Sequence, residues 1–98
     1  MIVTKKMENA VLTVYLDGKM DTNTTPIVEK EIEADVEEAK AVVIDMKDLK
    51  YISSAGLRLL LSLHKKMAAK SGMTIKNANE TITEIFEFTG FADVFTIE

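Results

Sequence analysis

Two serines, Ser53 and Ser54, stand directly before Ala55, Gly56 and a run of leucines that begins at Leu57, in the stretch YISSAGLRLLL. Small hydroxyl residues ahead of such a run mark a helix start. There a serine oxygen accepts a backbone N–H that the helix leaves unpaired, which is worth about 1 kcal/mol. The same position suits chemistry, because a helix N-terminus carries partial positive charge and free N–H groups that favour an anion. A phosphate on either hydroxyl fits there without breaking the fold. Two aspartates come next: Asp21 in the polar loop LDGKMDTNTTP, which reads as a turn or capping residue, and Asp45, which ends the apolar run AVVIDM. A carboxylate at a strand end is where a phospho-accepting aspartate works with magnesium held by further acids, but no acidic pair follows the first strand here. Asp48, just beyond Met46, reads as a loop residue. His64, the single histidine, follows Ser54 by ten residues on one helix. That spacing is about 15 Å along the axis, so the two make no nucleophile–base pair. His64 is expected to be a packed or half-exposed helix residue.

The elements that hold these residues follow from periodicity. IVTKK and AVLTVYL read as strands joined by a turn near Glu8 and Asn9; in the second, Leu12, Val14 and Leu16 face one way and Val11, Thr13 and Tyr15 the other. Both faces are apolar enough to predict an interior strand. Pro26 opens a helix whose Val28, Ile32 and Val36 recur every fourth residue, with glutamates outside. AVVIDM reads as a strand buried on both faces, as in a parallel sheet flanked by helices. The next helix is expected from Ser54 to Lys70, with Leu57, Leu60, Leu61 and Ala68 inward and Arg58, Ser62, Lys65 and Lys66 outward. Gly72 ends it, MTIKN gives another strand, and Glu80 to Thr89 forms a helix with Ile82, Ile85, Phe86 and Thr89 on one stripe. Gly90 suits the left-handed position beyond that helix, with Phe91 packing back on Phe86. VFTIE closes the sheet edge or runs on as a tail. Methionines Met46, Met67 and Met73 fill the core, and the phenylalanines pack the last helix on the sheet, one of them left exposed.

Composition narrows the function. The 98 residues are 47% hydrophobic and 29% charged, enough for one domain over residues 1–98. Net charge is −4, from 16 acids against 12 bases, and Arg58 is the single arginine, so no basic stripe serves a phosphate backbone and nucleic acid is a poor partner. The absence of cysteine removes disulfides, thiolate catalysis and cysteine zinc sites. With no apolar run near the length of a membrane span and no signal-like start, the expected location is cytoplasmic.

The stretch VVIDMKDLKYISSAGLRLLL resembles the signature of STAS domains, the family of sulfate-transporter and anti-sigma-factor-antagonist domains. It has an apolar strand ending in Asp, a short loop with an aromatic residue, then serine, a small residue, Gly and Leu opening a leucine-rich helix. LDGKMDTNTTP also resembles its family counterpart, with Asp21 matching an acidic residue beside the phosphorylation site. The resemblance implies an α/β single domain: a mixed, mostly parallel sheet of four to five strands packed with three or four helices. It implies no enzyme and no cofactor. It implies instead an anti-sigma factor antagonist that binds an anti-sigma factor with serine kinase activity, frees a sigma factor, and is switched off when Ser54, or in second place Ser53, is phosphorylated. A metal-dependent phosphatase removes the group. Many such antagonists carry Asp before the phosphorylated serine and Ser or Thr after it, where this chain has Ser53 and Ala55. That departure keeps open a STAS binding module in another partner-switching or scaffold assembly, and a third class, an autonomous receiver using Asp45, competes with both. Transporter-linked family members are set aside because the chain begins and ends with the domain. The expected docking surface comprises Asp21, Thr22, Asn23, Ser53, Ser54, Ala55, Gly56, Arg58, Ser62 and Lys65, with no metal site and no membrane contact. The contrast between an acidic first helix and a basic second one suggests a monomer or weak dimer.

Overall fold

The computed structural model describes all residues, 1–98, and consists of one five-stranded sheet with three helices. Its order is β1 (Ile2–Glu8), β2 (Val11–Met20), α1 (Thr25–Glu33), β3 (Ala41–Ile52), α2 (Ser54–Ala68), β4 (Met73–Lys76), α3 (Glu80–Thr89) and β5 (Thr96–Ile97). The strands lie in sequence order; β1 is antiparallel to β2, and every later pairing is parallel. This is the expected mixed, mostly parallel sheet, with β2 interior and the last residues closing the edge as β5.

The β1–β2 hairpin turns on Asn9 and Ala10, with φ of 53° and 63°. Two left-handed residues match the twist of a tight hairpin, but Ala10 holds a conformation that costs a residue with a Cβ roughly 1–2 kcal/mol. Ala10→Gly is therefore expected to raise stability by about 0.5–1 kcal/mol after the added chain entropy of glycine is subtracted. Denaturant melts of the two proteins check this; an unchanged or lower midpoint contradicts it.

The core lies on one face of the sheet. Leu12, Val14 and Leu16 from β2, Val42, Ile44 and Met46 from β3, and Met73 and Ile75 from β4 are buried beneath the helices. The opposite face is not covered in the same way: Thr13 and Val43 are half-buried and Tyr15 is exposed. The expectation of a strand buried on both faces is thus corrected, since the helices gather on one side. Lys5 on β1 ties that edge to α1 and the turn after it, reaching Glu31 of the helix at 3.0 Å and Asp35 just beyond it at 2.7 Å.

Several boundaries differ from the periodic reading. α1 stops at Glu33, and Val36 reaches the core from a separate 3-10 turn, Val36–Glu38. The 3-10 turn and the residue after it are fastened to α2 and the turn that follows it: Lys66 pairs with Glu37, and the Lys70 ammonium donates to the carbonyls of Glu37 at 3.1 Å and Ala39 at 2.8 Å. Acidic Glu37, beyond the end of α1, therefore already meets a basic residue of α2 within one chain. α2 buries Leu57, Leu60, Leu63 and Met67, whereas Leu61 is half-buried and Ala68 exposed. Gly90 does take the left-handed position, at φ 84°. Phe91, however, stacks on Phe95 at 5.2 Å, and it is Phe95 that meets Phe86 edge-on at 5.6 Å.

Candidate functional site

The first half of the site is built where β2 and β3 leave the sheet together. Met20 and Ile52 are register partners at the strand ends, and the Ser53 N–H donates to the Met20 carbonyl at 2.8 Å. The residues that follow, Asp21 on one side and Ser54 on the other, therefore emerge side by side. β3 is longer than its apolar run suggests. Asp45, Asp48 and Tyr51 all belong to the strand, which reaches Ile52 through irregular pairing with β2 around Tyr15, Asp17 and Gly18.

The two serines have different jobs. Ser53 has extended backbone and caps α2, its oxygen accepting from the Gly56 N–H at 3.4 Å, a long and weak bond. Its side chain is half-buried. Ser54 is the first residue of the helix and is exposed, and its hydroxyl takes no hydrogen bond within the chain. Local patterning alone left the cap on either serine; the helix start separates a structural serine from a free one.

Gly56 lies underneath. It is buried, and a Cβ built on it would stand 2.7 Å from Ile52 Cγ1, 3.1 Å from Met20 Cγ and 3.2 Å from Met20 Sδ. Placing Gly56 on the docking surface is corrected accordingly: it lets the helix start sit against the strand ends and shapes the surface from below. Thr22, Asn23, Ser54, Arg58, Ser62 and Lys65 are exposed, with Asp21, Ser53 and Ala55 half-buried among them. No ion pair engages Arg58 or Lys65.

Asp21 orients its own loop rather than Ser54. Its carboxylate accepts from the N–H groups of Asn23 and Thr24, each at 2.9 Å. Its carbonyl accepts from the Thr25 hydroxyl at 2.6 Å, and its N–H donates to the Thr24 hydroxyl oxygen at 2.9 Å. The Thr24 hydroxyl in turn donates to the Lys19 carbonyl at 2.6 Å. The N–H groups that donate to the carboxylate, that of Thr24 first and that of Asn23 after it, hold the Asp21 carboxyl below its ordinary value of 3.8. A depressed carboxylate stabilises the folded loop above its unfolded-state value, and that contribution is lost as pH falls through the lower folded value. In an NMR pH titration the Asn23 and Thr24 amides should move together with a midpoint below that of an ordinary aspartate; a midpoint at or above it would mean that the carboxylate does not hold the loop.

Asp45 is occupied elsewhere. Its oxygens accept from the Lys47 N–H and from Asn77 Nδ2, both at 3.0 Å, and no cluster of three acidic, histidine or cysteine groups is arranged to hold a metal ion. The receiver reading lacks its magnesium ligands. His64 is half-buried on α2, edge-on to Phe95 at 5.8 Å, with Nδ1 buried and unpaired. It stands apart from Ser54, as spacing indicated. Asn79, which periodicity does not single out, joins the layers: its oxygen caps α3 through the Ile82 N–H at 2.9 Å and its amide donates to the Leu49 carbonyl at 2.9 Å. Asn ahead of a helical run was the available signal.

The fold recurs in known proteins. The chain is 31% identical over 91 residues to BtrV of Bordetella bronchiseptica, named for antagonism of an anti-sigma factor, covering 91% of this chain and 78% of that one. Among solved structures, an anti-sigma factor antagonist from Mycobacterium paratuberculosis superposes with a TM-score of 0.88 at 24% identity, over 98% of this chain and 83% of that one. The Bacillus antagonist SpoIIAA matches at 17% identity in its unphosphorylated form, with a TM-score of 0.83 over 99% of this chain and 88% of that one. Its phosphorylated form, also at 17% identity, gives 0.76 over 99% and 91%. The model of the STAS domain matches residues 2–98, and the chain belongs to the STAS domain family.

Proposed function

We propose that this protein is an anti-sigma factor antagonist whose docking surface is switched by phosphorylation of Ser54. The reading rests above all on one observation: Ser54 is exposed with a free hydroxyl at the helix start, while its neighbour Ser53 is committed to the cap. In the unmodified state the partner, an anti-sigma factor with serine kinase activity, covers the Asp21 loop, Ser54 and the outer side of α2 at Arg58, Ser62 and Lys65. A neutral hydroxyl enters such an interface at little cost. Phosphate adds about −1.5 to −2 charges, which must be stripped of water beside Asp21 for the partner to stay bound. The fold itself tolerates the group, because a helix N-terminus accepts negative charge. A metal-dependent phosphatase resets the switch, and the chain needs no catalytic group or cofactor of its own. Relatives with the name of antagonist, and a structural neighbour known in both phosphorylation states, support the assignment.

Affinity capture from extract of the cells that make the protein tests the identity of the partner. A kinase-type protein that also holds a sigma factor is the expected catch. A partner with no sigma factor attached would place the domain in another partner-switching or scaffold assembly, the reading that Ser53 in place of the usual aspartate keeps in play.

A further inference from the structure

Phe88 is 94% exposed on α3, the most exposed of the large apolar side chains. Such a ring, standing free beside half-buried Ile85, has no role in the core formed by Ile82 and Phe86. Elsewhere on the surface a pocket of about 110 Å³ opens between α1 and α2, its walls formed by Ile32, Val36, Leu59 and Leu63. Apolar cavities of about 150 Å³ bind benzene, so an open-mouthed pocket of this size takes much of a phenyl ring.

Charge directs the two surfaces to each other. Residues 77–98 contain Glu80, Glu84, Glu87, Asp93 and Glu98 and no lysine or arginine, whereas residues 54–76 contain Arg58, Lys65, Lys66, Lys70 and Lys76 and no acid. Glu80, Glu84 and Glu87 beside Phe88 make no ion pair within the chain, and neither do Arg58 and Lys65 on α2. The pocket mouth carries Glu29 and Glu33 on its α1 lip and Ser62 and Lys66 on its α2 lip. Lys66 already pairs with Glu37. The α3 glutamates are therefore repelled from the α1 lip and drawn over α2, toward Lys65.

We infer that the occupant of this pocket is Phe88 of a second copy of the chain, giving a knob-and-pocket contact in which the glutamates of one α3 lie along the basic side of the next α2. The contact is heterologous, joining two different patches, and it is small, so association is reversible and concentration-dependent. Ser62, at the pocket mouth, lies eight residues beyond Ser54 on α2, about 12 Å along the axis. The assembly thus forms whether or not Ser54 is phosphorylated and does not rest on the sigma-factor reading, but because it uses Ser62 and Lys65 it competes with a partner that covers the same side of α2.

Sedimentation velocity on the full chain, over concentrations from micromolar to millimolar, tests it. Wild type should show a sedimentation coefficient that rises with concentration. Phe88→Ser should weaken association by about tenfold or more, since a buried aromatic anchor dominates a contact of this kind. Ser62→Glu, which puts a carboxylate in the pocket mouth, and Lys65→Glu should act likewise; all three positions are exposed, and circular dichroism confirms that the variants fold. Mixing Phe88→Ser with Ser62→Glu restores association, because each supplies the half that the other lacks. A wild type that stays monomeric throughout, a Phe88→Ser protein that associates like wild type, or a mixture that remains monomeric overturns the inference.

Discussion

Ser54→Asp should weaken binding to the anti-sigma partner by roughly a hundredfold or more while making the fold slightly more stable. The two effects have opposite signs at one residue. An unpaired carboxylate trapped in an interface costs about 3–5 kcal/mol, a loss of roughly a hundredfold or more in affinity. The same carboxylate at the first position of α2 interacts favourably with the helix N-terminus by about 0.3–1 kcal/mol. Calorimetric titration against the purified partner together with thermal melts reads both quantities. Ser54→Ala is the matched control: the hydroxyl makes no hydrogen bond within the chain, so the variant keeps stability and binding and loses only the capacity to be phosphorylated. Retained affinity in Ser54→Asp would show that negative charge at this position does not govern docking. A parallel fall in stability would instead point to a structural role for Ser54.

Gly56→Ala carries the largest expected effect on the fold near the site. Alanine normally stabilises a helix interior over glycine by about 1 kcal/mol, so the sign of the result is diagnostic. At this position the new methyl would stand 2.7 Å from Ile52 Cγ1, with Met20 Cγ at 3.1 Å behind it. Neither atom is the far end of a flexible side chain, and Met20 is fully buried, so relief requires α2 to move away from the strand ends. Overpacking of this kind costs about 1–3 kcal/mol and exceeds the helix gain. Gly56→Ala should therefore destabilise by up to about 2 kcal/mol in denaturant melts, and partner binding should weaken as Ser54 shifts relative to the Asp21 loop. A variant more stable than wild type would mean that the helix start is not pressed against Met20 and Ile52.

Much of this arrangement is legible in the residues because the relevant signals are local. Serines before a leucine run, Pro26 opening α1 and Gly90 closing α3 each answer to one backbone requirement, and the structure satisfies them. What escapes a periodic reading depends on distant partners. Lys47, Asp48 and Lys50 look like loop residues, yet β3 runs through them: the register shifts against β2, so Leu49 and Ile52 are buried on a spacing of three rather than two. Val36 keeps a four-residue repeat across a helix that has already ended, because the 3-10 turn returns it to the core. The leucine-rich run of α2 offers more apolar positions than one face uses; contact with the sheet selects Leu63 and Met67 over Leu61 and Ala68. The separate duties of Ser53 and Ser54 depend on which residue becomes the first of the helix, and that is set by the bond from Ser53 N–H to the Met20 carbonyl.

The proposed switch is tested most directly by asking whether Ser54 carries a phosphate. Trypsin cuts after Lys50 and Arg58, releasing Tyr51 to Arg58 as one peptide that contains both serines. Fragment ions that break the chain between Ser53 and Ser54 assign the site in protein purified from its own cells. A single phosphate on Ser54, with an unmodified fraction that alone binds the partner, is the expected result. Phosphate on Ser53, or none under any growth condition, would contradict a switch at Ser54.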